Sequence, residues 1–526
     1  MQRIRWSAPY LVSIHLPKCS APIAHGFLGA PDAASGHGLF DIAIAHRLLL
    51  LALDAGLTLR VGAPCGSQVN YRLYELAKAR FIVLIEISDS IHVETEVVQV
   101  GGLDEPPLTS VGHRRVNQER WSVRRVAITG RGIVSVIGNN IQEVLASLQH
   151  GRSGIEFIPE RKAMGFRSAL GGRIKSLPPL NIPKRNLRQM GPGSMFAVHA
   201  AQQALADAGL EAPQLRSDRV GVVMGNMGNA QDIYRQCRLF HDKTQKLGGT
   251  AMQRAMTDSV SANLSVLLGT RGYALTVSAA CATGAMAIGL ASQLIKWGLQ
   301  DLCIGGGTSE DGWENVCHFD ALQAFSMRED EPTKASRPFD TYRDGLVPST
   351  GAGVVVLEEL EHAHQRGARI YAELLSYASN SDGYDMTIPS GEGSIRCLEL
   401  ALKEADLAAD QVDYINAHAS STLVGDVAEA QAIAKVFGKR PYVSSTKSMT
   451  GHELGAAGSN ELIYCLLMME HNFIAPNINI EAIDPQCAGI NLLANQAREA
   501  RIDVAASNSF GFGGVNTCII LKRYAA

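Results

Sequence analysis

The chain has 526 residues, is 46% hydrophobic and 19% charged, and carries a formal net charge of −3. That size excludes a small domain stapled by disulfides or metal and points to two or more packed units. The near-neutral balance gives no overall basis for nucleic-acid or membrane partners. The ten cysteines are scattered, with neither a CxxC pair nor a histidine cluster at zinc spacing, as in reduced cytoplasmic proteins.

The opening, Met1 to Pro9, lacks the apolar core and small-residue cleavage site of a secretory signal. The strongest early apolar run, Leu48 to Leu53, is far shorter than the roughly 20 residues that cross a bilayer. A cytoplasmic protein without membrane insertion is therefore expected. Residues 1–122 read as an N-terminal extension. They hold a helical candidate from Phe40 to Ala55, a mixed stretch from Tyr71 to Lys78 and a β-prone run from Phe81 to Val100. His15, His25, His37 and His46 are spaced too irregularly to argue a site. The role of this region is open: an extra domain, a disordered leader, or upstream sequence.

At Arg124 the texture changes to a strand and a glycine turn, and α/β alternation then runs to the C-terminus, implying helices packed on a sheet. Ala197 to Ala208 predicts an amphipathic helix closed by Gly209, and Val220 to Met224 a buried strand. The Gly225-Asn-Met-Gly-Asn run lacks both the Rossmann fingerprint and a Walker lysine, and reads as a loop lining a pocket. Tyr273 to Val277 is short and β-prone, and Ala282 to Leu294 is an alanine-dense helix ending near Gly298. Cys281 thus falls at a strand-to-helix turn, where unpaired N–H groups and the positive end of the helix dipole favour a thiolate. A helix that is small and apolar on all sides is expected in the core.

Leu302 to Ile304 and Gly353 to Leu357 predict two further strands. From Ile370 the pattern begins again, with a strand to Tyr377, a helix from Ser394 to Ala405 and a strand from Val412 to Ala417. Strands at Val504 to Ser507 and Thr517 to Leu521 flank Asn508 to Gly514 much as strand and turn flank Cys281, so two related halves, 123–369 and 370–526, are expected. His418 lies just past a strand, and His452 at a glycine-rich turn opening a helix. One cysteine with two histidines at strand ends makes a nucleophilic site.

The ordered motifs Thr129-Gly-Arg-Gly-Ile-Val, Ser278-Ala-Ala-Cys281-Ala-Thr, Arg337-Pro-Phe-Asp340, Ser381-Asp-Gly-Tyr-Asp-Met386, Lys447-Ser-Met-Thr-Gly-His452 and Asn508-Ser-Phe-Gly-Phe-Gly-Gly514 resemble those of the β-ketoacyl-acyl-carrier-protein synthases. The likeness spans about Val123 to Ala526 and is nearer the bacterial type I branch than type II. It implies a thiolase-like fold of five αβαβα layers built from two related halves, usually as a homodimer. It also implies decarboxylative condensation of an acyl thioester with malonyl-acyl-carrier protein, with no cofactor and no metal.

By the same resemblance the catalytic set is Cys281, His418 and His452. Lys447, paired with Glu461, gives electrostatic support, and the N–H groups of Cys281 and Phe512 form an oxyanion hole. Phe510 and Phe512 lie in a glycine-hinged gate and Asp385 in a second gating loop. Ser420 and Thr422 stand where hydroxyls bond the phosphopantetheine arm. Lys184, Arg185 and Arg188 match a basic patch that docks the acidic carrier protein, and Lys243 and Lys246 extend it. The chain departs from the family at Ala419, where a methyl replaces a glycine hydrogen and is costly if φ is positive. It departs again around Met227, where the acyl pocket is bounded.

Other readings are a thiolase, a ketosynthase of a polyketide or specialised-lipid pathway, and a non-catalytic chain-length-factor-like subunit. A thiolase wants a second cysteine near Asn508 to Gly514, which holds none. A chain-length factor lacks the nucleophile that Cys281 supplies.

Overall fold

In a computed structural model of the chain, residues 11–14, 56–62, 68–73, 124–310 and 312–525 are described. The chain forms two compact units, Met1–Arg115 and Val116–Ala526. In the first, Leu11–Ile14 pairs parallel with Gly56–Gly62, which pairs antiparallel with Gln68–Leu73. The helical candidate at Phe40 to Ala55, the β-prone run at Phe81 to Val100 and the four early histidines lie outside the described residues. Of the Tyr71 to Lys78 stretch, only 71–73 is described, as strand.

The second unit holds an 11-stranded sheet. Its order, edge to edge, is Asn491–Leu492, Tyr442–Ser444, Tyr414–Asn416, Val504–Gly511, Val515–Arg523, Ala372–Ser381, Val126–Ser135, Gly351–Glu359, Leu302–Ser309, Val220–Asn226 and Ala274–Val277. When the strands of each half are numbered along the chain, both halves read 3-2-4-5-1 from their outer edge, and Asn491–Leu492 is an addition outside the second. In both, strands 3, 2 and 4 run parallel and strands 4, 5 and 1 antiparallel. The two first strands meet at the centre through Ala372↔Ile128 and Glu373↔Ala127.

This topology corrects one sequence expectation. The counterpart of the Cys281 turn is the segment after Tyr442–Ser444, since both follow strand 3, whereas Asn508 to Gly514 is the end of strand 4 and the turn into strand 5. Turn chemistry alone does not identify the corresponding segments, because correspondence within a repeat is set by strand order.

Alternation along the strands builds the layers. Val220, Val222 and Met224, with Leu302 and Ile304, face an outer core shared with the helices Pro192–Asp207 and Ser259–Leu268, while Val223 and Cys303 face the centre. In the other half Val504, Ala506 and Ile520 face the helices Glu392–Ala405 and Gly425–Phe437, while Ala505 and Ile519 face the centre. The central layer is the helix pair Thr283–Lys296 and Ala457–His471. A five-layer thiolase-like arrangement results, with the two innermost helices sandwiched between the half-sheets.

Their small residues make that sandwich possible. A Cβ on Gly284 would stand 2.9 Å from the Gly455 carbonyl oxygen, and one on Gly289 would enter the Tyr377 ring. The helix expected from Ala197 starts earlier, at Pro192, where proline suits the first helical position. Gly193 is buried there against Thr308 and Glu310.

Candidate active site

Strand Ala274–Val277 leads into a tight turn in which Ala280 is left-handed at φ 46°. Thr283 holds that turn: its hydroxyl accepts the Ala279 N–H at 2.8 Å and donates to the Ala280 carbonyl at 2.6 Å. Cys281 is thereby presented at the N-terminus of the central helix, 6% exposed. The chain at Gly511 passes so close that a Cβ there would lie 2.9 Å from the Ala279 oxygen and 3.2 Å from the Cys281 nitrogen. The backbone N–H groups of Phe512 and of Cys281 itself point at the sulfur.

His418 follows the strand Tyr414–Asn416. Its backbone N–H and that of Ala419 donate to the buried carboxylate of Glu429, at 2.9 and 2.6 Å, and Asn508 donates to the same group at 3.0 Å. His452 follows the short helix Lys447–Thr450 and Gly451, and its N–H donates to the Val347 carbonyl at 2.7 Å. The Leu454 N–H donates to His452 Nδ1 at 3.2 Å. An accepting Nδ1 places the ring proton on Nε2, which has no partner among the described residues. The two imidazoles stand edge to face, 5.4 Å between centroids. Donor atoms of Cys281, His418 and His452 all lie within 4.8 Å of one another, the only such trio of His, Cys, Asp or Glu among the described residues and the one set close enough to share a metal ion.

Burial sets the electrostatics. It pushes the Cys281 thiol up to about 11, against the opposing pull of Lys447 and the two N–H groups. Loss of water therefore outweighs the turn's favourable N–H groups, and the thiolate expected from the sequence is a thiol at neutral pH. Burial, helped by Lys447, pulls His452 down to about 3 and His418 well below the usual histidine range, so both rings are neutral. Lys447 and Glu461 form a buried ion pair, each 1% exposed, behind the site. Burial lifts Glu461 to about 7 while Lys447 opposes it, and lifts Glu429 to about 7 as well.

A cavity of about 410 Å³ opens onto Cys281, His418 and His452. Ser420, Thr422, Asp385, Phe510 and Phe512 also line it; Met227 does not, and lies instead against Gly455. Lys184, Arg185 and Arg188 sit on and beside the exposed four-residue helix Lys184–Leu187, outside the cavity. Ala419 is not left-handed; Ser421 takes that conformation at φ 74°, so the extra methyl meets no φ penalty.

Several functional neighbours carry no sequence signal. Phe512 stacks on Phe319 at 5.8 Å, and Phe319 on Phe325 at 6.1 Å, which seats the gate-like loop. Gly513 N–H donates to the Met386 carbonyl at 2.8 Å, tying that loop to the Asp385 loop. Only long-range packing brings these groups together.

Comparison with known proteins accords with this geometry. Residues 123–363 match the family Beta-ketoacyl synthase, N-terminal domain, and residues 371–481 match Beta-ketoacyl synthase, C-terminal domain. The Haemophilus influenzae protein named 3-oxoacyl-[acyl-carrier-protein] synthase 1 is 47% identical over 407 residues, covering 76% of this chain and 100% of the relative. A solved β-ketoacyl synthase from Burkholderia phymatum has a TM-score of 0.74 at 38% identity, over 76% of this chain and 100% of its own. AntDE:AntF, a type II PKS acyl-carrier protein in complex with its ketosynthase bound to the hexaketide, has a TM-score of 0.71 at 30% identity, over 77% of this chain and 100% of the matched one.

Proposed function

The chain belongs to the β-ketoacyl synthase family, and on that premise we propose that it condenses an acyl thioester with malonyl-acyl-carrier protein to give 3-oxoacyl-acyl-carrier protein, elongating fatty acids. The observation that carries this reading is the one cavity shared by a thiol and two neutral imidazoles with donor atoms within 4.8 Å.

In the first half-reaction Cys281 attacks the carrier-bound thioester. The N–H groups of Cys281 and Phe512 hold the oxyanion, each such donor being worth about 3 to 4 kcal/mol. The intermediate collapses to acyl-Cys281, and the thiol proton leaves with the carrier thiol. Malonyl carrier protein then enters and loses carbon dioxide. His418 and His452, as neutral N–H donors, stabilise the enolate that forms on its thioester oxygen. A neutral imidazole suits this task because it donates without introducing a charge that would also bind the malonyl carboxylate. The enolate carbon attacks the acyl carbonyl, the same two N–H groups hold the second oxyanion, and Cys281 leaves as a thiolate that takes a proton from solvent. Lys447 and Glu461 set the field behind the sulfur, while Ser420 and Thr422 bond the pantetheine arm.

Carrier protein docks on Lys184, Arg185 and Arg188, whose exposure and charge suit an acidic partner. The halves 123–369 and 370–526 are supported as units by family matches that end at 363 and resume at 371. We assign a homodimer. The sheet ends on Ala274–Val277, an edge with no further strand among the described residues, flanked by Tyr273 and Val266 at 43% and 67% exposed. An open edge beside apolar side chains is what a second copy would cover. No helix among the described residues is long and apolar enough to cross a membrane, which suits the cytoplasmic location proposed here.

Mass spectrometry after sequential addition of acyl and malonyl carrier proteins tests the reaction. An acyl adduct on Cys281 that disappears as 3-oxoacyl product forms supports it, and an adduct elsewhere, or none, defeats it. Sedimentation of the purified chain tests the dimer.

A further inference from the structure

Directly after His452 stands a buried acid that the proposed chemistry leaves unused. Glu453 is 1% exposed, and no Lys, Arg or His among the described residues pairs with it. Its carboxyl meets Ser135 Oγ at 2.6 Å, on the last residue of the strand Val126–Ser135, and Tyr464 Oη at 3.0 Å, on the helix Ala457–His471. Those two hydroxyls lie 2.9 Å from each other. Three oxygen contacts close a ring. A serine and a tyrosine supply one O–H proton each, and both hydroxyls can donate to the Glu453 carboxyl.

Two more groups face Glu453. Asn460 and Glu461, on the Tyr464 helix, are the other polar groups facing it. Burial, reinforced by the Glu461 charge, pushes the Glu453 carboxyl up to about 8 against the hydrogen bonds. Strand Gly351–Glu359 contributes a glycine at the contact, where a Cβ on Gly351 would lie 3.1 Å from Glu453 Oε1.

The backbone links this ring to the active site. The Glu453 carbonyl accepts from Ser309 Oγ at 2.9 Å. The next residue, Leu454, is buried and left-handed at φ 50°, a conformation that a branched side chain adopts only when its surroundings impose it. It is the Leu454 N–H that occupies His452 Nδ1.

We propose that Glu453 is a positioning residue for His452: closed in a ring with Ser135 and Tyr464, it pins the 452–454 turn, so that the Leu454 N–H occupies Nδ1 and the His452 proton stays on Nε2, facing the cavity. This rests on His452 acting as a donor to the malonyl thioester. Glutamine keeps an acceptor oxygen for one hydroxyl and can turn an N–H to the other, so it can complete the same ring; alanine leaves the two hydroxyls only each other.

The test uses the full chain with ¹⁵N-labelled histidine, comparing wild type, Glu453→Ala and Glu453→Gln, each checked for folding by thermal unfolding. In wild type the His452 ring nitrogens should report a single Nε2–H tautomer. Glu453→Ala should give mixed tautomers and slow malonyl-carrier decarboxylation about tenfold or more, while acylation of Cys281 stays within about twofold. Glu453→Gln should restore both the tautomer and the rate. Should Glu453→Ala not fold, Tyr464→Phe opens the ring by one hydroxyl and gives the same comparison. Unchanged His452 nitrogens in the opened-ring variant, a changed tautomer with undiminished decarboxylation, or a glutamine variant as impaired as alanine would each overturn the proposal. If wild type itself does not decarboxylate malonyl carrier protein, the donor role fails, while the tautomer comparison still decides whether Glu453 positions the ring.

Discussion

Lys447 and Glu461 pair at 1% exposure each, behind the Cys281 sulfur, whose thiolate Lys447 favours and Glu461 opposes. A buried pair gains little over an apolar replacement, yet losing one partner strands the other charge in a medium without water. Glu461→Gln should cost about 3 to 5 kcal/mol in denaturant unfolding. The double change Lys447→Met with Glu461→Gln should recover most of that loss while leaving condensation slow. Equal stability of the single and double variants would show that the pair is not desolvated as described.

The Cys281 thiol, pushed up to about 11 by burial, should be mostly protonated at neutral pH. Alkylation by iodoacetamide, which consumes thiolate, should then rise about tenfold per pH unit from about pH 7 to 10, without a plateau. A plateau near neutrality would mean that the helix N-terminus and the two N–H groups outweigh burial after all.

Acylation and decarboxylation should separate at the histidines. His452→Ala removes an Nε2 donor that faces the cavity, and malonyl-carrier decarboxylation should fall by about a hundredfold or more. Transfer of an acyl group to Cys281 needs no such donor and should persist. Because burial pulls His452 down to about 3, its ring ¹⁵N signals should show no titration near pH 6.5, where an exposed imidazole would titrate. A ring titration there would assign the charged form a role.

Gly511 carries the gate-like loop past the nucleophile at van der Waals contact. In Gly511→Ala the new methyl would lie 2.9 Å from the Ala279 oxygen and 3.2 Å from the Cys281 nitrogen. Backbone on both sides must move, and the two N–H groups aimed at the sulfur move with it. Loss of one oxyanion donor predicts kcat down by about a hundredfold. KM for a small acyl thioester should change little by comparison.

Charge reversal at Arg185 and Arg188 should raise KM for carrier-bound substrate and leave a small thioester unaffected, with the difference shrinking as salt rises. Both residues are exposed and lie outside the cavity, so a parallel effect on the two substrates would point to distortion of the fold instead.

Local chemistry was enough for the turn at Cys281, the imidazoles placed after strands and the alternation of strands with helices, since each depends on periodicity, propensity or a short motif. Element ends were less legible. The pattern starts the helix Pro192–Asp207 at Ala197 instead of Pro192, because the reason a glycine is tolerated at Gly193, its contact with Thr308 and Glu310, lies more than a hundred residues away in the chain. Which turns correspond between the halves was misread for a similar reason: the 3-2-4-5-1 order belongs to the sheet, not to any one segment.

Sequence by itself determined the family resemblance, the layered α/β class and the residue types available for thioester chemistry. Only the tertiary structure decided their ionisation and their separation. Burial holds Cys281 as a thiol and the imidazoles as neutral donors, overriding the local preference of a helix N-terminus, because desolvation depends on everything packed around a group and not on its neighbours in the chain. The same holds for Glu429 beneath His418 and for Glu453 beside Ser135 and Tyr464: each is one more acidic side chain until folding removes its water and supplies its partners.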